Sequence, residues 1–570
     1  PDNLYIYGDR SNNAQMIQQA IYEPLMTTFG YSYQPLALAE LPDLTAGTAR
    51  MQPIMVRSGD RVVDASGDPV TLQAGVQIDT ALGESITYDG ESPVEMVQMS
   101  ASFAFNALTW SDGTPLTAVD SVYSFNVAAD SVTPVDKSVI ERTASYEAID
   151  DNTAVWTGLP GYIDRTYFLN VWVPLPSHTL TRFTANQLLE AAETNQPPVG
   201  YGPFVVHEWK STQLTLIRNT HYAQPNMPHV DQLVFIEEAN GLDGVRNGRC
   251  QIALYETNSL NQTPDILTAQ TAGDLTAIFR QSLVFEHIDF GINPVPNYQR
   301  NHPDWFEDIR VRRAIMHCID RQQMIENLQF GQGVLHDAYV ASNHPAFPED
   351  ATTYTYDPDL ANQLLDETGL IDQDGDGLRE RRAFGEELII TPISITLGTD
   401  DVTPLRRQIN EQVQANLQQC GIGVALYESP VQDWYADGPF SPLFGRRFDL
   451  GTFAWLSRIE PPCNLYLSSN ITGPEEEGFG GWNNVNATGW LNEAFDTACE
   501  TAQSEFIETA EYTTNHQEAI RIFTQELPMM PLFSRVEIIL HDPTVTGLTV
   551  DVTQRLPLWN AAQLDWDEGE

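Results

Sequence analysis

Lysine is nearly missing from this chain. Of its 29 basic residues only Lys137 and Lys210 are lysine, against 78 acidic residues, and the formal charge is −49. The acidic residues are spread along the chain rather than massed in a tail. Such a surface repels nucleic acid and anionic lipid headgroups, so neither is expected as a partner. A low-lysine, acid-rich surface suits a salty environment, and an arginine-rich coding bias accounts for it equally well. Long apolar runs are missing too; none approaches the roughly 20 residues that a membrane-crossing helix needs. The opening PDNLYIYGDR lacks a basic stretch followed by an apolar one. That leaves a cytoplasmic chain or one whose export signal has been removed. There is no Gly-x-Ser-x-Gly elbow, no His-Glu-x-x-His helix, no phosphate-binding glycine loop and no dinucleotide fingerprint. No internal repeat and no low-complexity segment is expected.

Cysteine is sparse: Cys250, Cys318, Cys420, Cys463 and Cys499, with no Cys-x-x-Cys pair. Cys318 falls on the apolar face of an expected helix and reads as a buried thiol. In an exported protein the other four would form two bridges, Cys463 with Cys499 and Cys250 with Cys420.

What is present is enough apolar and aromatic residue, 42% and 10%, for two or three domains in 570 residues. Residues 14–28 carry apolar side chains at helical spacing. From 51 to 110 the pattern turns to short alternating strands with Gly/Asp turns. A helix is expected over 117–130 behind Thr117, then a hairpin around Asp150–Asn152 and two strands over 199–222, with Gly200 and Gly202 allowing a tight entry. Asp308 and Asp320 are expected to cap successive helices, and Asp357 with Pro358 to open another that Gly369 stops. A strand at 388–397, a helix at 403–420, a strand at 422–427, a late helix and the strand PLFSRVEIIL complete a β-α-β rhythm over 285–530.

Three groups are candidates for chemistry. His287 and Asp289 flank Ile288 on an expected strand and so share a face, as a base with its orienting acid or as a strand-edge hydrogen bond. In IDQDGDGLRE, Asp372, Asp374 and Asp376 alternate as hard-cation ligands do, with Glu380 as a further oxygen. An EF-hand would need Glu where Ala383 stands, so the readings are a partial structural calcium site or a solvated turn. Tyr31, Tyr33, Trp455 and Trp482 lie near expected loops, where aromatic faces suit peptide side chains or sugar rings.

Seven motifs then occur in order: LTWSDGTPLTAVDSVYSF (108–125), YEAIDDNTAVW (146–156), VPLPSHTL (173–180), YGPFVVHEWKSTQLTLIRNTHY (201–222), DIRVRRAIMHCIDRQQMI (308–325), YDPDLANQLLDETGLIDQDGDGLRE (356–380) and FDLGTFAW (448–455). Together they resemble the family-5 extracellular solute-binding proteins, the oligopeptide, dipeptide and nickel receptors of ABC importers. The resemblance implies an α/β, two-lobed periplasmic-binding-protein type II fold (Venus flytrap, cluster C) with an extra β-rich domain. Lobe I would comprise 1–45, 181–282 and 536–570, the extra domain 46–180, and lobe II 283–535, with hinges near 283 and 535. A monomer that captures a solute by hinge closure and hands it to permease subunits is implied, without catalysis and without a cofactor beyond the calcium considered above. So is an extracytoplasmic place, periplasmic or at the cell surface, with or without a lipid anchor.

In the family, a Trp at the end of the 448–455 strand is followed three residues on by an Asp that pairs with a peptide's ammonium. Trp455 matches that Trp, but Arg458 stands where the Asp would be, with Glu460 two residues further. Arg458 would favour an anion, unless it simply pairs with Glu460 at the rim. By position Arg10, Ser11, Asn12 and Asn13 would line the pocket from the first lobe, and Trp482 and Asn483 from the second. Peptides are the first expected cargo, oligosaccharides or small anions the alternative. Nickel ranks lower, since no His or Cys cluster is in view. A sensory binding module and a peptidase or glycosidase on a similar scaffold are the other classes.

Overall fold

Capping chemistry places the helices close to where the sequence puts them. The carboxylates of Asp308, Asp320 and Asp357 accept from the backbone N–H of Arg310, Gln323 and Leu360 at 2.9, 2.8 and 3.0 Å. They open the helices Ile309–Cys318, Arg321–Gln329 and Pro358–Glu367. Asp120, three residues into the helix Ala118–Ala129, accepts from Thr117 N–H at 2.9 Å, Trp110 Nε1–H at 3.1 Å and the Ser177 hydroxyl at 2.6 Å. One buried carboxylate thus ties two of the sequence motifs to a helix start. The first helix is shorter than expected, Asn12–Ile21. Pro24 cannot extend it, and Met26–Phe29 leaves as a strand paired with Ser32–Pro35.

The computed structural model describes residues 3–195, 198–238, 240–255, 261–295, 304–384, 388–507, 509–554 and 556–567. It divides into two units, Pro1–Gln251 with His541–Glu570, and Ile252–Leu540. Among the described residues, no helix is long and apolar enough to cross a membrane.

The first unit holds an antiparallel sheet in the order Ala49–Val56, Val94–Ala104, Thr153–Gly158, Thr143–Ala148, and a three-stranded one of Phe204–Lys210, Gln213–Arg218 and Gln232–Ile236. Gly200 and Gly202 serve close approach rather than a turn: a Cβ on Gly200 would meet the Ile21 carbonyl oxygen at 2.3 Å.

Between the first two strands of that four-stranded sheet lies a repeat that the sequence reading missed. The hairpin Arg61–Val63/Pro69–Thr71 recurs sixteen residues on as Gln77–Asp79/Ser85–Thr87. The backbone bonds recur with it: Gly59 N–H to Leu72 O becomes Gly75 to Tyr88, and Asp64 N–H to Asp68 O becomes Thr80 to Glu84. Gly67 and Gly83 both turn with positive φ. Side chains share roles but not identity, which hides the repeat. Asp64 accepts from the N–H groups of residues 66 and 68, and the Thr80 hydroxyl from those of 82 and 84. Val62, Leu72, Ile78 and Tyr88 share one small core.

The second unit is built on a six-stranded sheet in the order Ile252–Tyr255, Met529–His541, Thr276–Phe290, Leu450–Leu456, Ser394–Asp400, Gly423–Ser429. Thr276–Phe290 runs antiparallel to Leu450–Leu456, which is parallel to Ser394–Asp400, itself parallel to Gly423–Ser429. The helix Pro404–Gln419 makes the crossover between the last pair. The strand expected at 388–397 is two: Leu388–Pro392 pairs back on Glu380–Phe384, and Ser394–Asp400 enters the sheet.

The cysteine expectation needs correcting. Cys463 bonds Cys499, as read from the sequence, but Cys420 bonds Cys318 and not Cys250. Cys318 is therefore no free thiol. It ends one helix and Cys420 caps another in the same apolar core. Cys250 belongs to the other unit and is the free cysteine, its thiol pKa raised first by burial and then by Glu238.

Candidate functional site

The strand Leu450–Leu456 delivers Trp455 half-buried at its end, edge-on to Phe453 at 5.4 Å and tilted against Phe444 at 6.4 Å. The loop beyond it is pinned three times. Ser457 N–H donates to Leu283 O at 2.8 Å, the His344 ring bonds Ile459 O at 2.9 Å, and Cys463 is tied to Cys499. Within this fixed frame Arg458 is exposed and makes no ion pair among the described residues, while Glu460 is half-buried. The pinned loop thus holds an exposed cation three residues beyond an aromatic ring.

Trp482 lies against the Cα of Gly438, where a Cβ would meet its ring at 2.1 Å, and its carbonyl accepts from Gly438 N–H. Asn483 is exposed. The same two stretches, 438–448 and 473–489, bring the Arg446 guanidinium to 4.5 Å from the Phe479 ring centroid. Spacing gave no signal for Arg446, because its character depends on what surrounds it.

In the first unit, Ser11 is the N-cap of the helix Asn12–Ile21 and accepts from Ala14 N–H at 3.3 Å. Asn12 and Asn13 are exposed on its first turn. Arg10 donates to Pro134 O at 2.5 Å and, alone of the four, lines a cavity of about 500 Å³ with Gln18, Gln19, Tyr22 and Glu23. Glu23 accepts from the Tyr222 hydroxyl at 2.6 Å and from Gln224 at 3.1 Å. Burial nonetheless raises its pKa.

The Asp372, Asp374 and Asp376 carboxylates are exposed and converge, with oxygens within 4.8 Å of one another. Asp372 accepts from Gly375 and Gly377 N–H at 2.8 and 3.1 Å, and Asp376 from Leu378 N–H at 2.8 Å. The turn therefore holds itself, and the remaining oxygens suit a hard cation.

His287 and Asp289 do share a face, 3.4 Å apart, but not at a strand edge. Their strand is internal to the sheet and both are sealed from solvent. Burial drives both to the neutral form, His287 down to about 3 and Asp289 well above the carboxylate range. A pair so enclosed has no route to a bound substrate.

Two units, one carrying a mixed sheet and the other an additional antiparallel one, define the two-lobed class of periplasmic binding proteins. Within that class the chain belongs to the bacterial extracellular solute-binding proteins, family 5 Middle, whose family model matches residues 106–474. Over 336 residues it is 28% identical to a Brucella ovis protein whose name assigns it to peptide binding in an ABC transporter. That match spans 57% of either chain, so little more than half the relative's length is covered. The oligopeptide-binding protein AppA of Bacillus subtilis is 25% identical over 452 residues, 73% of this chain and 77% of AppA. Its structure with a nonapeptide matches at TM-score 0.57 and 18% identity, over 99% and 97% of the chains. HbpA2 of Haemophilus parasuis matches at TM-score 0.68 and 16% identity, over 99% and 98%.

Proposed function

We propose that this protein is the extracytoplasmic receptor of an ABC importer, closing two lobes over an oligopeptide-like solute and presenting it to permease subunits. Membership of the family carries the reading, and the peptide-binding names of its relatives support the cargo. The three-part division, with an extra β-rich domain at 46–180 and hinges near 283 and 535, belongs to the same reading. Closure draws its energy from solute that binds the closed form better than the open one. Native mass spectrometry of the purified protein, with release of whatever it holds, tests the cargo. A ladder of heterogeneous peptide masses supports peptides; a single hexose-spaced or small anionic species moves the cargo to a sugar or acid.

The second reading, a small-anion receptor, is favoured by one observation: the exposed Arg458 on its pinned loop. Replacing it, Arg458→Asp, is expected to shift the preference for free over acetylated peptide amino termini by about tenfold, or 1.4 kcal/mol. Calorimetric titration of both forms measures it, and an unchanged ranking discards Arg458 as a selector.

Calcium at Asp372, Asp374 and Asp376 is proposed as structural. Adding it is expected to raise the melting temperature of the wild type and not of Asp374→Asn. Equal shifts in both proteins would discard the site.

A further inference from the structure

A buried charge short of partners matters only where a ligand can reach it. Arg446 is sealed, its Nε and Nη1 unpartnered among the described residues. It lines none of the three cavities of about 170, 320 and 500 Å³. Glu23 differs. It is 8% exposed and lines the largest of the three, in the first unit. Both of its hydrogen bonds, from Tyr222 and Gln224, fall on Oε1. Oε2 receives none among the described residues and is not sealed. The carboxylate is thus anchored by one oxygen and open on the other.

The cavity wall shares that bias toward acceptors. Gln15 and Gln18 lie three residues apart, on one face of the helix Asn12–Ile21. Each commits its amide nitrogen to a backbone carbonyl, Gln15 to Arg10 O at 2.7 Å and Gln18 to Tyr5 O at 3.2 Å. That leaves both side-chain carbonyl oxygens as acceptors on the wall. Ile6, Val135 and Val173 line the same space with apolar surface. Arg10 also lines it, but from the far end. It precedes the helix and Glu23 follows it, and the ten helical residues between them span about 15 Å. Asp9 shares the Arg10 end. Arg10 is exposed, so that end opens to solvent.

We propose that this cavity binds an alkylammonium group, its nitrogen donating to Glu23 Oε2 and its carbon chain lying along Ile6, Val135 and Val173. An ammonium has three donors and no acceptor, which matches a wall of acceptors. It also supplies a counter-ion to a carboxylate whose pKa burial raises. The −49 field draws cations toward the molecule, and the cavity selects among them. The group belongs either to a lysine side chain of the cargo or to a free amine. For the first source the inference rests on the receptor reading above; the second does not need it.

Calorimetric titration at physiological salt compares alanine pentapeptides carrying a single lysine, one peptide for each position, with the same peptides carrying norleucine. Norleucine keeps the carbon chain and drops the ammonium; cadaverine probes the free amine. The wild type is expected to bind at least one lysine peptide roughly tenfold tighter than its norleucine counterpart, the lower range for a hydrogen bond to a charged group. Glu23→Gln keeps an oxygen for Tyr222 and Gln224 and is expected to remove most of that ratio. The long-range field survives the substitution, and general damage to the unit would lower both affinities together. Gln18→Met leaves Glu23 and its bonds in place and is expected to cut the ratio about threefold; it reads the preference if Glu23→Gln does not fold. Cadaverine binding without a lysine preference, lost in Glu23→Gln, upholds the cavity with a free amine as its ligand. A ratio that stays tenfold in Glu23→Gln overturns the proposal. Equal wild-type binding of every lysine and norleucine pair, with no binding of cadaverine, overturns it and leaves the peptide reading intact. Binding of no peptide and no amine overturns both.

Discussion

Between pH 6.5 and pH 4 the melting temperature of the unit Ile252–Leu540 is expected to fall by roughly 20 °C. His336, His344 and His516 are buried there, and burial holds each down to about 4, with Arg321 pressing further on His336 and His344 on His516. His344 shows why the neutral ring is required. One nitrogen bonds Ile459 O, and the other must stay bare to accept from Ala346 N–H at 3.0 Å. A histidine whose folded pKa lies below its unfolded value of about 6.5 contributes stability above that value. The contribution is lost as pH falls from the unfolded to the folded pKa, because the unfolded chain takes the proton first. Each residue contributes roughly 3 kcal/mol at about 1.4 kcal/mol per pH unit.

Other groups shape the curve differently. Asp304 and Glu307, raised by burial, oppose the fall near its acid end. The His287–Asp289 pair keeps one proton across the window and so adds little to the slope. Thermal melts followed by tryptophan fluorescence in a pH series would measure the fall, and His344→Gln should flatten it by about a third. A melting temperature level from pH 7 to pH 4.5 would show that these rings are not held neutral.

Breaking Cys318–Cys420 is expected to cost nearly 5 kcal/mol, and breaking Cys463–Cys499 a little under 4, in the chain-entropy model. The order follows from loop length, since the first bridge spans 102 residues and the second 36. Urea unfolding of the paired Ala variants would give both values. The pairing itself is checked by peptide mapping without reductant. Recovery of a Cys250–Cys420 peptide would refute the arrangement.

Local chemistry was legible in the sequence and long-range chemistry was not. Asp308, Asp320 and Asp357 announce helices because a cap acts over three residues, and the Asp150–Asn152 turn does the same for its hairpin. Cys318 read as a core thiol because helical periodicity reports burial and says nothing of what is buried opposite. The duplicated hairpin was hidden because Thr80 does with a hydroxyl what Asp64 does with a carboxylate. At the candidate site, Trp455 and Arg458 stood out by position along a strand and loop. Arg446 did not, since a guanidinium lacking partners looks in sequence like any other.

The duplicated hairpins also set an order of events during synthesis. Each closes its turn within a dozen residues, on the microsecond scale of isolated hairpins, and only later gains its bonds to Glu95, Arg142 and Pro160. The six-stranded sheet cannot do this. It joins Thr276–Phe290 to Leu450–Leu456 and also requires Met529–His541. The first unit likewise waits for the end of the chain, where Thr553 O accepts from the Thr28 hydroxyl. High contact order makes both closures slow. A nascent chain can therefore carry closed β turns near its start long before the six-stranded sheet, which waits for Met529–His541, can be completed.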